Sequence, residues 1–413
     1  MKEKGFAITG GTLIDGTGKD PLKNAVVLVK GQRIVNVGRG DRVKIPAGFE
    51  RIDASGLTVM PGLIDAHIHI SGLISGNPLD WVVESGFTQI IRAVQQAGKV
   101  LDAGVTTVRS AGSRYDIYLK RAIEAGTIVG PTILAAGLGI CRTGGHPDLP
   151  QNILYIIPEE LIQENHPRCM RCDGVEEIRK GVRKLVNHGV DHIKVWLSGG
   201  DHWEKDRTGD VHFTKQEMET LVNEARMLRA RVMAHVENLR ATKLAIEAGV
   251  DTIEHADDWE GNPALDEEAC SSIVAKNIIL VTTLGCGIRS VKRSGAETLP
   301  KNILDGYKLA IEMGVKFAAG SDTVWESSAP YGKFSVEEIE KMVSVLGFSP
   351  MDAIVAATKM GAEASGIADK VGTIEKGKLA DIILVEGNPL EDIGILVERE
   401  NIKSIMKGGK VVR

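Results

Sequence analysis

The sequence predicts an α/β protein: a (β/α)₈ TIM barrel accompanied by a small discontinuous β-sandwich that both termini form together. Three observations predict it. Between residues 60 and 367 short apolar runs alternate with amphipathic helical segments, the order of a parallel sheet. Both ends of the chain carry strand-and-turn chemistry with no helical periodicity. The helical segments repeatedly end in glycine just before the next apolar run. A chain of 413 residues holds a barrel of about 250 residues or more plus an accessory module. The expected division is β-sandwich over 1–59, barrel over 60–367 and β-sandwich again over 368–413.

At the N-terminal end, Ala25 to Val29 and Arg33 to Val37 flank Lys30-Gly31-Gln32 as the arms of a hairpin. At the other end, Ala380 to Val385, Ile402 to Met406 and Val411-Val412 alternate with turn residues in the same way. An isolated hairpin is only marginally stable, so the two ends are expected to share one sheet module. In the middle, the candidate strands are Leu57 to Ile64, Thr106 to Arg109, Thr132 to Ala135, His192 to Leu197, Arg231 to Ala234, Thr252 to Glu254, Ile278 to Thr282 and Lys316 to Ala319. Between them, Met218, Leu221, Val222, Ala225 and Leu228 recur on one helical face, as do Val336, Ile339, Met342 and Val343. Gly104, Gly189, Gly249 and Gly314 stand where helices stop. An open doubly wound sheet would share these local patterns, and the eight strands favour closure.

Composition narrows the function. With 43% apolar and 25% charged residues the chain buries a large core. A net charge of −5 and the lack of any Lys/Arg-rich run offer no surface for a polyanion, so no nucleic-acid partner is expected. No apolar stretch approaches the ~20 residues of a membrane span, and MKEKGFAITGGTLIDG lacks a secretory apolar run, so the expectation is a cytoplasmic protein with no membrane association. Five cysteines form an odd, sparse set that suits a reducing compartment. Cys169-Met170-Arg171-Cys172 reads as two reduced loop thiols ahead of a structural zinc or redox pair, and Gly137-Leu138-Gly139 as a strand-end turn.

The chemistry concentrates at strand ends. His67 and His69 close the run that begins at Met60, two residues apart and so on one strand face. His235 and His255 each end an apolar strand one βα unit apart, and Asp322 follows the eighth candidate strand. Active sites of such barrels lie at the C-terminal ends of their strands. Any one of these histidines could be satisfied by core hydrogen bonds; as a set with a carboxylate, they suit zinc or another divalent transition metal. Lys194 lies within a strand whose faces are both expected to be covered. It is either a rim salt bridge or an amine whose pKa burial has lowered.

His67, His69, Lys194, His235, His255 and Asp322, in this order along strands one, four, five, six and eight, resemble the amidohydrolase superfamily. The resemblance covers nearly the whole chain, including the terminal β-sandwich. It implies two divalent metal ions, zinc foremost, bridged by Lys194 carbamylated by carbon dioxide. His67, His69 and Asp322 would hold one ion, His235 and His255 the other, with a hydroxide between them as nucleophile. Asp322 would take the hydroxide proton and deliver it to the leaving amine. Asp65, on the same strand face as His67, is expected to support the ligands or to be structural.

Within that superfamily the chain looks most like the Xaa-Pro dipeptidase-like, imidazolonepropionase-related group, on the strength of Arg142-Thr143-Gly144-Gly145-His146 and of Ser198-Gly199-Gly200 after the Lys194 strand. The implied reaction is hydrolysis of a C–N bond in a small amide or peptide substrate, such as a dipeptide or N-acyl amino acid. Arg142 and His146 are expected to bind a substrate carboxylate or stabilise the oxyanion; ordinary loop structure is the other reading. Peptidases of the group carry tyrosine two residues after the fifth-strand histidine, where Glu237 stands here. A carboxylate only accepts hydrogen bonds, so Glu237, followed by Asp257, Asp258 and Glu260, predicts an acidic mouth that suits a cationic group. The alternatives are a mononuclear deaminase or chlorohydrolase, which would carry glutamate at the position of Asn238, and a non-catalytic homologue, which would have lost ligands. Family analogy adds a homo-oligomer.

Overall fold

The computed structural model describes residues 4–149, 158, 166–200, 206–293, 295, 297–327 and 330–413. Its middle is α/β, and the named strands described there pair in parallel. Leu63–Ile68, Val105–Ser110 and Thr132–Leu134 pair in that order. A seven-stranded sheet runs Cys169–Arg171, Gly139–Cys141, His192–Trp196, Arg231–Val236, Thr252–His255, Ile279–Thr282 and Lys316–Ala319. A parallel bridge between Ile68 and Thr323 joins the last strand's exit to the first strand. On the other side, the Asp191 N–H donates to the Ala135 carbonyl, and the Ala135 N–H returns a bond to the Asp191 carboxylate, each at 2.8 Å.

The helices form where the sequence periodicity places them. Lys215–Met227 starts at Thr214, whose hydroxyl accepts from the Glu217 N–H while Glu217 reaches back to the Thr214 backbone, and it buries Met218, Leu221, Val222 and Ala225. Gly174–His188 and Leu239–Ala248 end at Gly189 (φ 95°) and Gly249 (φ 83°), in the left-handed conformation that glycine takes without a Cβ penalty.

Both termini enter one eight-stranded sheet, ordered Lys410–Val411, Ile402–Lys407, Ile382–Glu386, Leu57–Pro61, Gly5–Leu13, Leu22–Lys30 and Arg33–Arg39, with Phe49–Asp53 also paired to Gly5–Leu13. The expected hairpin is present, with Lys30 opposite Arg33. Its residues alternate between two apolar clusters. Ala25, Val27 and Val29 pack with Phe6 and Ile8, and Val26 and Leu28 with Ala7 and Val43.

Two expectations need correction. The single strand expected over Leu57 to Ile64 is two: Leu57–Pro61 belongs to the terminal sheet, and Leu63–Ile68 opens the parallel one. The break falls at Gly62, where a Cβ would lie 2.2 Å from the Thr106 hydroxyl oxygen, so only glycine lets the chain change sheets there. Secondly, Gly139 and Cys169 are strand residues and not loop residues. A Cβ at Gly139 would lie 2.2 Å from the Trp196 ring, so this glycine makes room for the neighbouring strand that carries Lys194.

Candidate active site

Beyond the C-terminal ends of the parallel strands lies a cavity of about 910 Å³, lined by His67, His69, His146, Lys194, His235, Glu237, His255 and Asp322 among others. The structure thus brings together all six residues expected to hold metal, with two of the three expected to meet substrate. His67 is the penultimate residue of its strand and His69 follows its end, so strand alternation turns both inward. The His67 Nε2 lies 3.4 Å from Asp322 Oδ1 and the His69 Nε2 3.3 Å from the same oxygen. The Lys194 Nζ is 3.5 Å from His67 Nε2. The His255 ring lies 4.9 Å from that of His67 and 4.6 Å from that of His235.

Three of the imidazoles are aimed through Nδ1. The His67 Nδ1 donates to Glu254 Oε2 at 2.7 Å and the His69 Nδ1 to the Gly112 carbonyl at 2.8 Å, while the His255 Nδ1 is hydrogen-bonded to Thr283 Oγ1 at 2.7 Å. The backbone is also held: His255 (φ 69°) and Asp322 (φ 48°) take the left-handed conformation unusual for residues with a side chain. The Asp322 N–H donates to the His67 carbonyl at 2.7 Å. Asp65, buried, receives the N–H groups of His67 and Ser321, tying the first strand to the segment that presents Asp322.

Burial sets the protonation states. It lowers the His69 pKa to about 4 and takes His235 and His255 well below the usual imidazole value, so these rings are neutral near pH 7. Burial lowers Lys194 to about 8, against the pull of Glu254 and Asp322, which makes its neutral amine accessible. Burial works to raise the Asp322 pKa, but the His67 and His69 side chains against it outweigh burial and keep this carboxylate ionised. Imidazoles converging on an ionised carboxylate, with His67, His69 and His255 tethered through Nδ1, form a donor set that suits a divalent ion of zinc's kind.

Of the substrate-facing expectations, His146 lies against the centre: its ring stacks on His235 at 4.7 Å and its Nδ1 donates to Asp206 at 2.6 Å. Glu237 lines the cavity on the same strand face as His235. Arg142 is not among the described residues that line the cavity; its Nη1 bonds the Thr143 carbonyl at 3.4 Å. Asp257 lines the cavity, whereas Asp258 accepts the Glu260 and Asn262 N–H groups and shapes its own loop. Cys169 and Cys172 do not pair with each other: the Cys169 Sγ meets Cys141 Sγ at 3.0 Å, and all three thiols are free and buried.

Sequence reasoning missed three charged groups. Glu254 is buried and takes bonds from His67, from Arg109 at 2.8 Å and from Thr252 at 2.5 Å. Burial favours its neutral form, yet Arg109, His67 and Lys194 together hold its pKa below the usual carboxylate range. The signal was present, since Arg109 and Glu254 are charges inside strands covered on both faces, as Lys194 is. Arg168 also lines the cavity, but it stands just outside a three-residue strand that carried no sequence pattern.

A parallel α/β scaffold presenting this cluster defines a hydrolase that acts on carbon–nitrogen bonds. The chain belongs to the amidohydrolase family, whose model matches residues 58–412. It is 31% identical to the ochratoxinase of Aspergillus niger, over 98% of this chain and 86% of that protein, and 24% identical to the imidazolonepropionase of Kosmotoga olearia, over 94% and 91%. Among solved structures, A. niger ochratoxinase superimposes with a TM-score of 0.88 at 28% identity, covering 100% of this chain and 96% of that one. An Xaa-Pro dipeptidase with bound methionine superimposes with a TM-score of 0.85 at 30% identity, covering 99% and 100%.

Proposed function

We propose that this chain is a metal-dependent amide hydrolase for small substrates of the dipeptide or N-acyl amino acid kind, working at the mouth of a closed (β/α)₈ barrel. The observation that carries the reading is the convergence of His67, His69, Lys194, His235, His255 and Asp322 on one cavity. The barrel reading is supported by the Ile68–Thr323 bridge on one side and the Ala135–Asp191 bonds on the other. The terminal sheet, with apolar clusters on both faces, supports a sandwich module over 1–59 and 368–413 around a catalytic unit over 60–367.

His67, His69 and Asp322 would hold one divalent ion and His235 and His255 a second, with Lys194, as a carbamate, a further ligand and zinc the ion best matched to the donors. Two such ions, when bound, would lower the pKa of the attacking water and polarise the scissile carbonyl. The remaining work falls to the chain. Asp322, ionised beside His67 and His69, accepts the proton of the attacking water and passes it to the leaving nitrogen. His146, fixed by its Nδ1 bond to Asp206 and stacked on His235, stands as the contact for the substrate at the carbonyl side. Glu237 accepts from a cationic or amine-bearing part of the substrate.

The deaminase alternative is disfavoured by Asn238. Its Oδ1 caps the helix Leu239–Ala248 through the Ala241 N–H, and its Nδ2 donates to the Thr208 carbonyl, so it acts as a structural cap. The intact ligand set disfavours a non-catalytic homologue. The test is a turnover screen of dipeptides and N-acyl amino acids with the metal-loaded protein and with Asp322→Asn. The wild type is expected to release the amine, and the variant to lose about a thousandfold or more in kcat while keeping its circular dichroism spectrum. Undiminished turnover by the variant would refute the role of Asp322.

A further inference from the structure

The cavity holds a cation that the reaction scheme leaves unused. Arg168 is 2% exposed, lines the cavity, and stacks its guanidinium 5.0 Å from the Trp81 ring centroid. Among the described residues neither its Nε nor its Nη2 has a hydrogen-bond partner. The other buried arginine among the described residues, Arg109, is paired with Glu254. A guanidinium cannot escape the cost of burial by losing its proton under ordinary conditions, so a buried one with open donors is a standing site for an anion.

The position is built. The Arg168 carbonyl accepts from the Gly139 N–H at 2.9 Å, its own N–H bonds His166 Nδ1, and the preceding Pro167 carbonyl accepts from the Arg114 N–H at 2.8 Å. Trp81 is itself anchored, its indole N–H donating to the Ser75 carbonyl at 2.8 Å. The guanidinium lies on the His69 and Asp322 side of the cavity: the Trp81 ring it stacks on packs 6.2 Å from that of Trp325, three residues past Asp322, and the Arg168 carbonyl lies against Gly112, whose own carbonyl holds His69. His146 and His235 occupy the other side.

We propose that Arg168 is the specificity-determining contact for a carboxylate on the leaving side of the scissile amide, so that the substrates are N-acyl α-amino acids, dipeptides included, with a free α-carboxylate. The proposal rests on the amide-hydrolase reading. If Asp322 protonates the leaving nitrogen, the group one carbon from that nitrogen falls beside Asp322, where Arg168 waits. A planar carboxylate can occupy two of the guanidinium donors at once and supply the missing counter-charge. The contact assigned from sequence to Arg142 passes to Arg168.

The experiment pairs a panel of N-acetyl-L-amino acids with their C-terminal amides, using the full metal-loaded chain and the variants Arg168→Met and Arg168→Lys. Binding by calorimetry is measured beside turnover. Wild type is expected to favour each acid over its amide by about a hundredfold, and Arg168→Met to bring that ratio to within about threefold, with Arg168→Lys between. Because Arg168→Met removes an uncompensated charge, its ligand-free Tm is expected to rise by about 3 °C or more. Preferential acid binding that depends on Arg168, without turnover, upholds Arg168 and refutes the hydrolase reading. Equal binding of acid and amide by the wild type, no detectable binding of either, or an unchanged ratio in Arg168→Met overturns the assignment of Arg168.

Discussion

At the residue scale His67, His69 and His255 are each held through Nδ1, and Glu254 holds more than one partner. It fixes the His67 ring and neutralises Arg109, with all three side chains buried. Replacing it by glutamine would leave the Arg109 charge without a counter-ion in the interior. Glu254→Gln is therefore expected to lose about 3–5 kcal/mol of unfolding free energy. It is also expected to weaken metal binding by about 10–100-fold, since the His67 Nδ1 loses its anionic acceptor. Urea denaturation and metal titration check the two effects separately; a variant as stable as the wild type would contradict the role given to this ion pair. His67, His69, His235, His255 and Asp322 were legible in the sequence because each closes an apolar strand, and the strand period fixes which way it points. Glu254 and Arg109 precede such ends and look like ordinary polar residues until both faces of the strand are known to be covered. Arg168 was illegible because its place depends on Trp81 and Gly139, distant in sequence.

At the scale of elements, strands and helices are joined by side chains that serve as caps across the fold. Glu338, on Lys333–Ser344, receives the Leu284 and Gly285 N–H groups at the start of the helix Leu284–Arg293, at 2.9 and 2.8 Å. Burial raises its pKa from 4.5 to about 7, against those backbone bonds. Between these two values the folded chain keeps a proton that the unfolded chain has released, so this group's contribution to stability falls as pH rises through the window. The change amounts to roughly 3 kcal/mol. Glu338→Gln removes the titration, and its unfolding free energy, followed by denaturant from about pH 5 to 8, is expected to stay more level than that of the wild type. Parallel curves would contradict the assignment. Helix ends were readable because glycine marks them chemically, as at Gly189 and Gly249. The division of Leu57 to Ile64 was not, since Leu57–Pro61 and Leu63–Ile68 are equally apolar and only the packing of Gly62 against Thr106 separates them.

At the scale of the whole molecule, the candidate ligands arrive from strands far apart in the chain, and parallel pairing brings their C-terminal ends level. In the register Trp196 stands opposite His235, and Val236 opposite His255. The terminal sheet is continuous with this arrangement, because the strand Leu57–Pro61 leads through Gly62 into the strand that presents His67. Joint burial of the two termini was foreseeable from their shared strand chemistry; which strand of one end pairs with which of the other was not, because their apolar patterns are interchangeable. The central claim is that this convergence grips a pair of divalent ions on which amide hydrolysis depends. Its most direct test is metal content by mass spectrometry, followed alongside activity through chelation and zinc titration. The account predicts about two equivalents per chain, loss of turnover on stripping, and return of turnover as the second equivalent is restored. Full turnover by the metal-free chain would contradict it.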